Sequence, residues 1–88
     1  MSNLFKLSIL TPEKTVFESD VQYVEAPSTE GYFGVLAHHA ALITSLAKGT
    51  LTVRGAGGAE QRWEVDGGFF EVGGNAATVL ADSLRPLA

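Results

Sequence analysis

His38 and His39 are the only histidines of the chain and the first place to look for chemistry. Imidazole is a common metal ligand, but neighbouring side chains on an extended segment point to opposite faces and chelate one ion poorly. No Asp, Glu or Cys stands near them at a ligand spacing, so a loop or interface role is expected rather than a metal site. Ser28 lies in Pro27-Ser28-Thr29-Glu30-Gly31, which lacks the Gly-x-Ser-x-Gly context of a hydrolase nucleophile and reads as a turn. The run Arg54-Gly55-Ala56-Gly57-Gly58-Ala59 has the glycines of a phosphate-binding loop but neither its lysine nor a following helix, and reads as a hairpin loop. Glu64 and Asp66 share a strand face at i, i+2, but alternation with Trp63 and Val65 puts them on the solvated side. The inventory points away from catalysis: no catalytic residue, metal or cofactor is expected.

Composition narrows the classes further. Eighty-eight residues make one domain, because two cores would leave each half near the roughly 40-residue floor for unaided folding. Six Lys and Arg against ten Asp and Glu give a net charge of −4, with the basic residues scattered, so no phosphate-neutralising stripe exists and nucleic acid is not an expected partner. A 45% hydrophobic content with 18% charged residues supports a packed core. The absence of Cys excludes disulfides, thiolate zinc sites and cysteine nucleophiles. Lys6 interrupts the opening residues, and Thr11, Pro12 and Glu13 follow, so no export signal is read there. The longest uncharged run, residues 31–47, falls short of the roughly 20 apolar residues of a transmembrane helix and carries both histidines. Contact with a membrane is therefore expected only through a partner.

The elements that must position these residues are strands. Phe5, Leu7 and Ile9 alternate with Lys6 and Ser8; Leu51 and Val53 with Thr50, Thr52 and Arg54; Trp63 and Val65 with Arg62, Glu64 and Asp66. Residues 21–26 and 78–81 are further strand-like runs, and Val16 and Phe17 mark another. Glycine clusters at Gly55, Gly57 and Gly58, at Gly67 and Gly68, and at Gly73 and Gly74 before Asn75 each separate two such runs and read as hairpin turns. Short strands with frequent turns predict an all-β, antiparallel β-sandwich. Residues 37–47 suit helix by composition and strand by Ile43 and Thr44, and periodicity alone does not decide between them. Adjacent Phe69 and Phe70 cannot both enter one core, so either one ring faces a partner or it covers a sheet edge.

Three stretches carry a family resemblance. They are Leu7-Ser8-Ile9-Leu10-Thr11-Pro12-Glu13 near the start, the run from Glu30 through Leu42, and Gly67-Gly68-Phe69-Phe70-Glu71-Val72 continuing to Asp82. Together they resemble the N-terminal β-sandwich of the epsilon subunit of F-type ATP synthase. The resemblance implies a flattened sandwich of about ten strands in the central stalk, non-catalytic, coupling rotation of the c-ring to the gamma subunit and to ATP synthesis or hydrolysis. Its implied partners are gamma and the polar loops of the c-ring. Its implied place is peripheral, on the cytoplasmic face of a bacterial inner membrane as part of the F1 sector. The alternatives are a small β-barrel metal-dependent enzyme of cupin type and an independent ligand-binding β-sandwich.

By the same resemblance, Glu30, Gly31, Tyr32, Phe33, His38 and His39 lie towards the c-ring, and Thr11, Leu42 and Thr44 towards gamma. Residues 42–47 become a strand on this reading. Departures bear on the ring contact: the family commonly has an acidic residue where Tyr32 stands, and Pro, Gly and Pro at Ala37, His38 and Ala41. Most family members continue into a regulatory helical hairpin. The expectation for residues 1–88 is a sandwich domain alone, supporting coupling without the hairpin form of inhibition.

Overall fold

The structure, a computed structural model, describes residues 3–87. Among them nine strands form one continuous sheet that folds over on itself: β1 Phe5–Leu10, β2 Thr15–Ser28, β3 Gly31–Val35, β4 Leu42–Ser45, β5 Gly49–Gly55, β6 Glu60–Val65, β7 Gly68–Gly73, β8 Ala76–Ala81 and β9 Leu84–Pro86. The order is β4-β7-β8-β1-β2-β5-β6-β9, with β3 also paired to β2. Residues 37–41 form a loop and Leu42–Ser45 a strand, which resolves the ambiguity between helix and strand.

The fold turns on β2. Its first half pairs with β1 and its second half with β5 and β3, so one 14-residue strand belongs to both layers. Phe17 and Val21 share the face of the buried β1 residues Ile9 and Phe5, whereas beyond the register shift between Val21 and Tyr23 the alternating buried positions are Val24 and Ala26, followed by buried Pro27. An extra residue in one strand flips the side-chain parity and sharpens the bend, which is how β2 keeps its apolar side inward while it changes layer. This explains why residues 16–17 and 21–26 read as two separate segments in sequence.

Seven of the eight strand pairings are antiparallel, as expected; β1 and β8 run parallel. Parallel neighbours need a long connection, and here β2 to β7 supply it. Two of the glycine clusters make the expected hairpins. Gly74 and Asn75 both take φ near 57°, the geometry of a tight two-residue turn joining β7 to β8. Gly67–Gly68 does not fit the hairpin expectation: it carries the chain from β6 in one layer to β7 in the other. Gly68 has φ 122°, and a Cβ there would overlap the Leu80 carbonyl oxygen, so no other residue fits.

Between the layers, Leu7, Ile9, Val21, Val24, Leu51, Val53, Val65, Phe70 and Val79 are fully buried. Edge-on aromatic contacts close the core at two places. Phe33 meets Phe70 with ring centroids 4.9 Å apart, and Phe17 meets Trp63 at 5.7 Å. Such pairs add about 1 kcal/mol beyond burial.

Candidate functional site

Three surfaces stand out once the strands are in place. The first is a groove of about 260 Å³ between edge strands β3 and β4, lined by Ser28, Glu30, Gly31, Tyr32, Phe33, Leu42 and Thr44. Its rim is shaped by Ser28, whose Oγ accepts from Glu30 N at 3.1 Å and donates to Gly31 O at 2.6 Å. Gly31 turns the chain with φ 119°, a value that favours glycine. Tyr32 is 57% exposed while its hydroxyl accepts from Thr50 N at 2.9 Å, so the ring is held in place and still presented outward. The Thr29 and Ala47 amides cross to Ser45 and Pro27, tying this turn to the end of β4.

The groove gathers four of the residues expected at the c-ring with two expected at gamma. His38 and His39 are elsewhere. They follow the far end of β3, where His38 N donates to Asn75 Oδ1 at 2.7 Å and Asn75 Nδ2 donates to Leu4 O at 3.1 Å. His38 takes φ 64° and borders a groove shared with Leu4, Tyr23 and Arg54, apart from the one that holds Tyr32. Thr11 is also apart, its amide closing the β1–β2 turn on Lys14 O at 2.9 Å.

The outer face of the β4-β7-β8-β1 layer is the second surface. Pairing register puts Ser45, Phe69, Leu80 and Leu10 in one row across the strands, and Ile43, Glu71, Thr78 and Ser8 in the next. Phe69 is 56% exposed, Leu80 50% and Ile43 69%, whereas Phe70 is fully buried. Thr11 and Pro12 border the patch beside Leu10, Phe69 and Leu80. On β4 it is Ile43 that points out, and Leu42 and Thr44 lie half-buried on the other side.

The third surface, the outer face of the β2-β5-β6-β9 layer, is its chemical opposite. Its rows are Tyr23-Arg54-Glu60, Glu25-Thr52-Arg62 and Thr50-Glu64-Arg85. Glu60 bridges Arg54 at 3.4 Å and Arg62 at 2.9 Å, and Glu64 meets Arg85 at 2.6 Å. The hydrogen bond and charge of Arg85 hold the Glu64 carboxyl below its ordinary range. Burial, followed by the charge and hydrogen bond of Glu25, raises the Tyr23 phenol, while Arg54, 5.6 Å from its ring centre, pulls the other way.

The sequence profile described as ATP synthase, Delta/Epsilon chain, beta-sandwich domain matches residues 4–86. The chain belongs to the ATP synthase delta/epsilon family. Among family relatives, the ATP synthase epsilon chain of Protochlamydia amoebophila is 46% identical over 93% of this chain, which spans 56% of that protein. That of Caulobacter vibrioides is 41% identical over 85% of this chain and is spanned to 86% of its own length. A chain in the cryo-EM structure of Euglena gracilis mitochondrial ATP synthase, OSCP/F1/c-ring, superposes with a TM-score of 0.91 at 24% identity, covering 98% of this chain and 55% of that one. That superposition shows a common fold.

Some exposed-face residues escaped sequence reasoning. The pair Phe69-Phe70 signals one outward ring, because neighbours on a strand diverge. Leu80 and Ile43 carry no such signal. β8 is apolar at nearly every position, and β4 is too short for alternation to show.

Proposed function

We propose that this chain acts as the β-sandwich of the epsilon subunit in the central stalk of an F-type proton-translocating ATP synthase, coupling c-ring rotation to gamma. In this reading it is non-catalytic and meets the membrane only through the assembled complex, on the cytoplasmic face of a bacterial inner membrane. Among the described residues no helix is long and apolar enough to cross a membrane.

The observation that carries the reading is the apolar row Phe69-Leu80-Leu10 with Ile43 beside it, Phe69, Leu80 and Ile43 exposed and Leu10 half-buried, on one face of a delta/epsilon family domain. Large apolar side chains aligned across adjacent strands favour burial against another protein. We assign this face, with Thr11 at its border and Leu42 and Thr44 behind Ile43 on the edge strand, to gamma. The ring contact is assigned to Glu30, Gly31 and Tyr32, backed by Phe33. His38 and His39, exposed beyond the opposite end of β3, are assigned to the ring as a second and separate point of contact. Where many family members carry a carboxylate, Tyr32 offers an aromatic ring and a hydroxyl already engaged with the backbone.

The test is capture of gamma and the c-ring, prepared from the same genome, by the immobilised chain. Gamma is expected in stoichiometric amount, Leu80→Asp should abolish its capture, and Tyr32→Ala should weaken retention of the ring without releasing gamma. Absence of gamma capture, or capture indifferent to Leu80→Asp, would refute the assignment.

A further inference from the structure

One carboxylate is out of keeping with the apolar face. Glu71 projects from the middle of β7, directly opposite Ile43 on β4 and Thr78 on β8. Phe69 lies two residues away on the same strand, and Leu80 is on the diagonal. Side chains directly opposite one another start about 5 Å apart, so exposed Ile43 borders the carboxylate on one side and half-buried Thr78 on the other, with exposed Phe69 and Leu80 in the adjoining row. Glu18 has Lys6 at 3.5 Å, Glu60 has two arginines and Glu64 has Arg85, while Asp20 and Glu25 on β2 have no ion pair but lie among polar and charged neighbours rather than on the apolar patch. Glu71 has no ion pair or hydrogen bond to its side chain among the described residues.

In water an exposed lone carboxylate is harmless. Covered by a partner it loses hydration, and without a counter-charge it would oppose the association that Phe69 and Leu80 favour. The surface beside it leaves room for such a counter-charge. A groove of about 610 Å³ runs past Glu71, with Gly73 and Ala76 as small residues along it, and a Cβ at Gly73 would meet nothing within 4 Å. A long cationic side chain can lay its methylenes along Ile43 and Ala76 and bring its head to the carboxylate. Arginine fits best, since its planar fork meets a carboxylate at two points and is less strongly hydrated than an ammonium.

We propose that Glu71 is the charge key of this face: the partner segment that covers Ile43, Phe69 and Leu80 is apolar and carries one basic residue, preferentially Arg, that ion-pairs with Glu71. This rests on the reading of the face as the gamma surface and adds the chemistry by which the partner is selected. The carboxylate rejects an apolar segment lacking a cation, so the face stays free of indiscriminate contacts until the matched partner arrives.

Binding of the whole chain to gamma from the same genome, measured over a series of salt concentrations, tests it. Glu71→Gln is expected to weaken binding at least about tenfold at low salt and to flatten the salt dependence, whereas Phe69→Ala should weaken binding and leave that dependence intact. Glu71→Lys should bind worst and be rescued by changing one basic residue of gamma to Glu. If Glu71→Gln binds as tightly as the parent while Phe69→Ala does not, the charge key is refuted and the gamma face stands. If neither variant weakens binding, the face itself is misassigned. Weakening by Glu71→Gln with an unchanged salt slope also refutes the ion pair. So does a fall in the melting temperature of the isolated chain, which would give the carboxylate a role in the fold.

Discussion

The two outer faces of the sandwich use the same strands and twist but opposite chemistry. Across β2, β5, β6 and β9 the outward side chains are mostly charged or phenolic, and Arg54, Arg62 and Arg85 are matched by Glu60 and Glu64. Across β4, β7, β8 and β1 the large outward side chains are mostly apolar, Ile43, Phe69, Leu80 and Leu10, set among Ser45, Thr78 and Ser8 and around one unmatched carboxylate, with Lys6 towards the β2 side. Ion pairs in water add little stability, typically about 0–1 kcal/mol each, but a face of mutually satisfied charges has nothing left to offer a partner. The apolar face is the converse. Its side chains contribute little to the isolated fold and much to whatever covers them.

The largest break in this contrast should come from the frame beneath the apolar face. Gly68 starts β7 against the Leu80 carbonyl, in a backbone conformation closed to L-residues. Gly68→Ala should destabilise the chain by about 3 kcal/mol or more and disorder β7 against β8. Urea unfolding measures this, and a loss below about 1 kcal/mol would show that the junction relaxes.

Next in size is a split between stability and binding. Phe69→Ala should change the stability of the isolated chain by no more than about 0.5 kcal/mol and weaken gamma binding by about 2 kcal/mol. Arg62→Ala on the opposite face should leave gamma binding at the parent value. Calorimetry of the two variants side by side sharpens the comparison, and equal binding losses would erase it.

Smaller effects lie in the titration of the charged face. Arg85 lowers the folded-state pKa of Glu64, so the pair stabilises the fold above the unfolded carboxyl pKa, and that contribution is lost as pH falls through the lowered folded value. Glu64→Gln should remove this acid-limb contribution, seen as a flatter melting temperature against pH at low salt and no difference at high salt.

The smallest expected change is at the alkaline end. Tyr23 has a raised folded-state pKa, so its contribution is complete below the ordinary phenol value and lost as pH rises through the raised one. Tyr23→Phe should flatten that alkaline limb, and phenolate absorbance should show one tyrosine of the parent ionising late. An unshifted titration would mean that Glu25 and burial do not govern the ring.

By itself the sequence determined what depends on near neighbours. Alternation in residues 5–9, 50–54 and 62–66 placed β1, β5 and β6 and told inside from outside, because successive side chains on a strand must diverge. Gly-rich turns marked the β5–β6 and β7–β8 hairpins, because positive φ is a property of single residues. The order of residues from Leu7 to Asp82 was enough to recognise the delta/epsilon family. Tertiary structure decided what depends on distant partners. It set the parallel pairing of β1 with β8, the crossover at Gly67–Gly68, and the shift near Gln22 that lets β2 serve both layers. It also separated His38 and His39 from Tyr32 and turned Leu80 and Ile43 outward beside Glu71. An apolar run such as β8 has no alternation to read, so its exposed side exists only once β1 and β7 are paired to it and the other layer has claimed Val79.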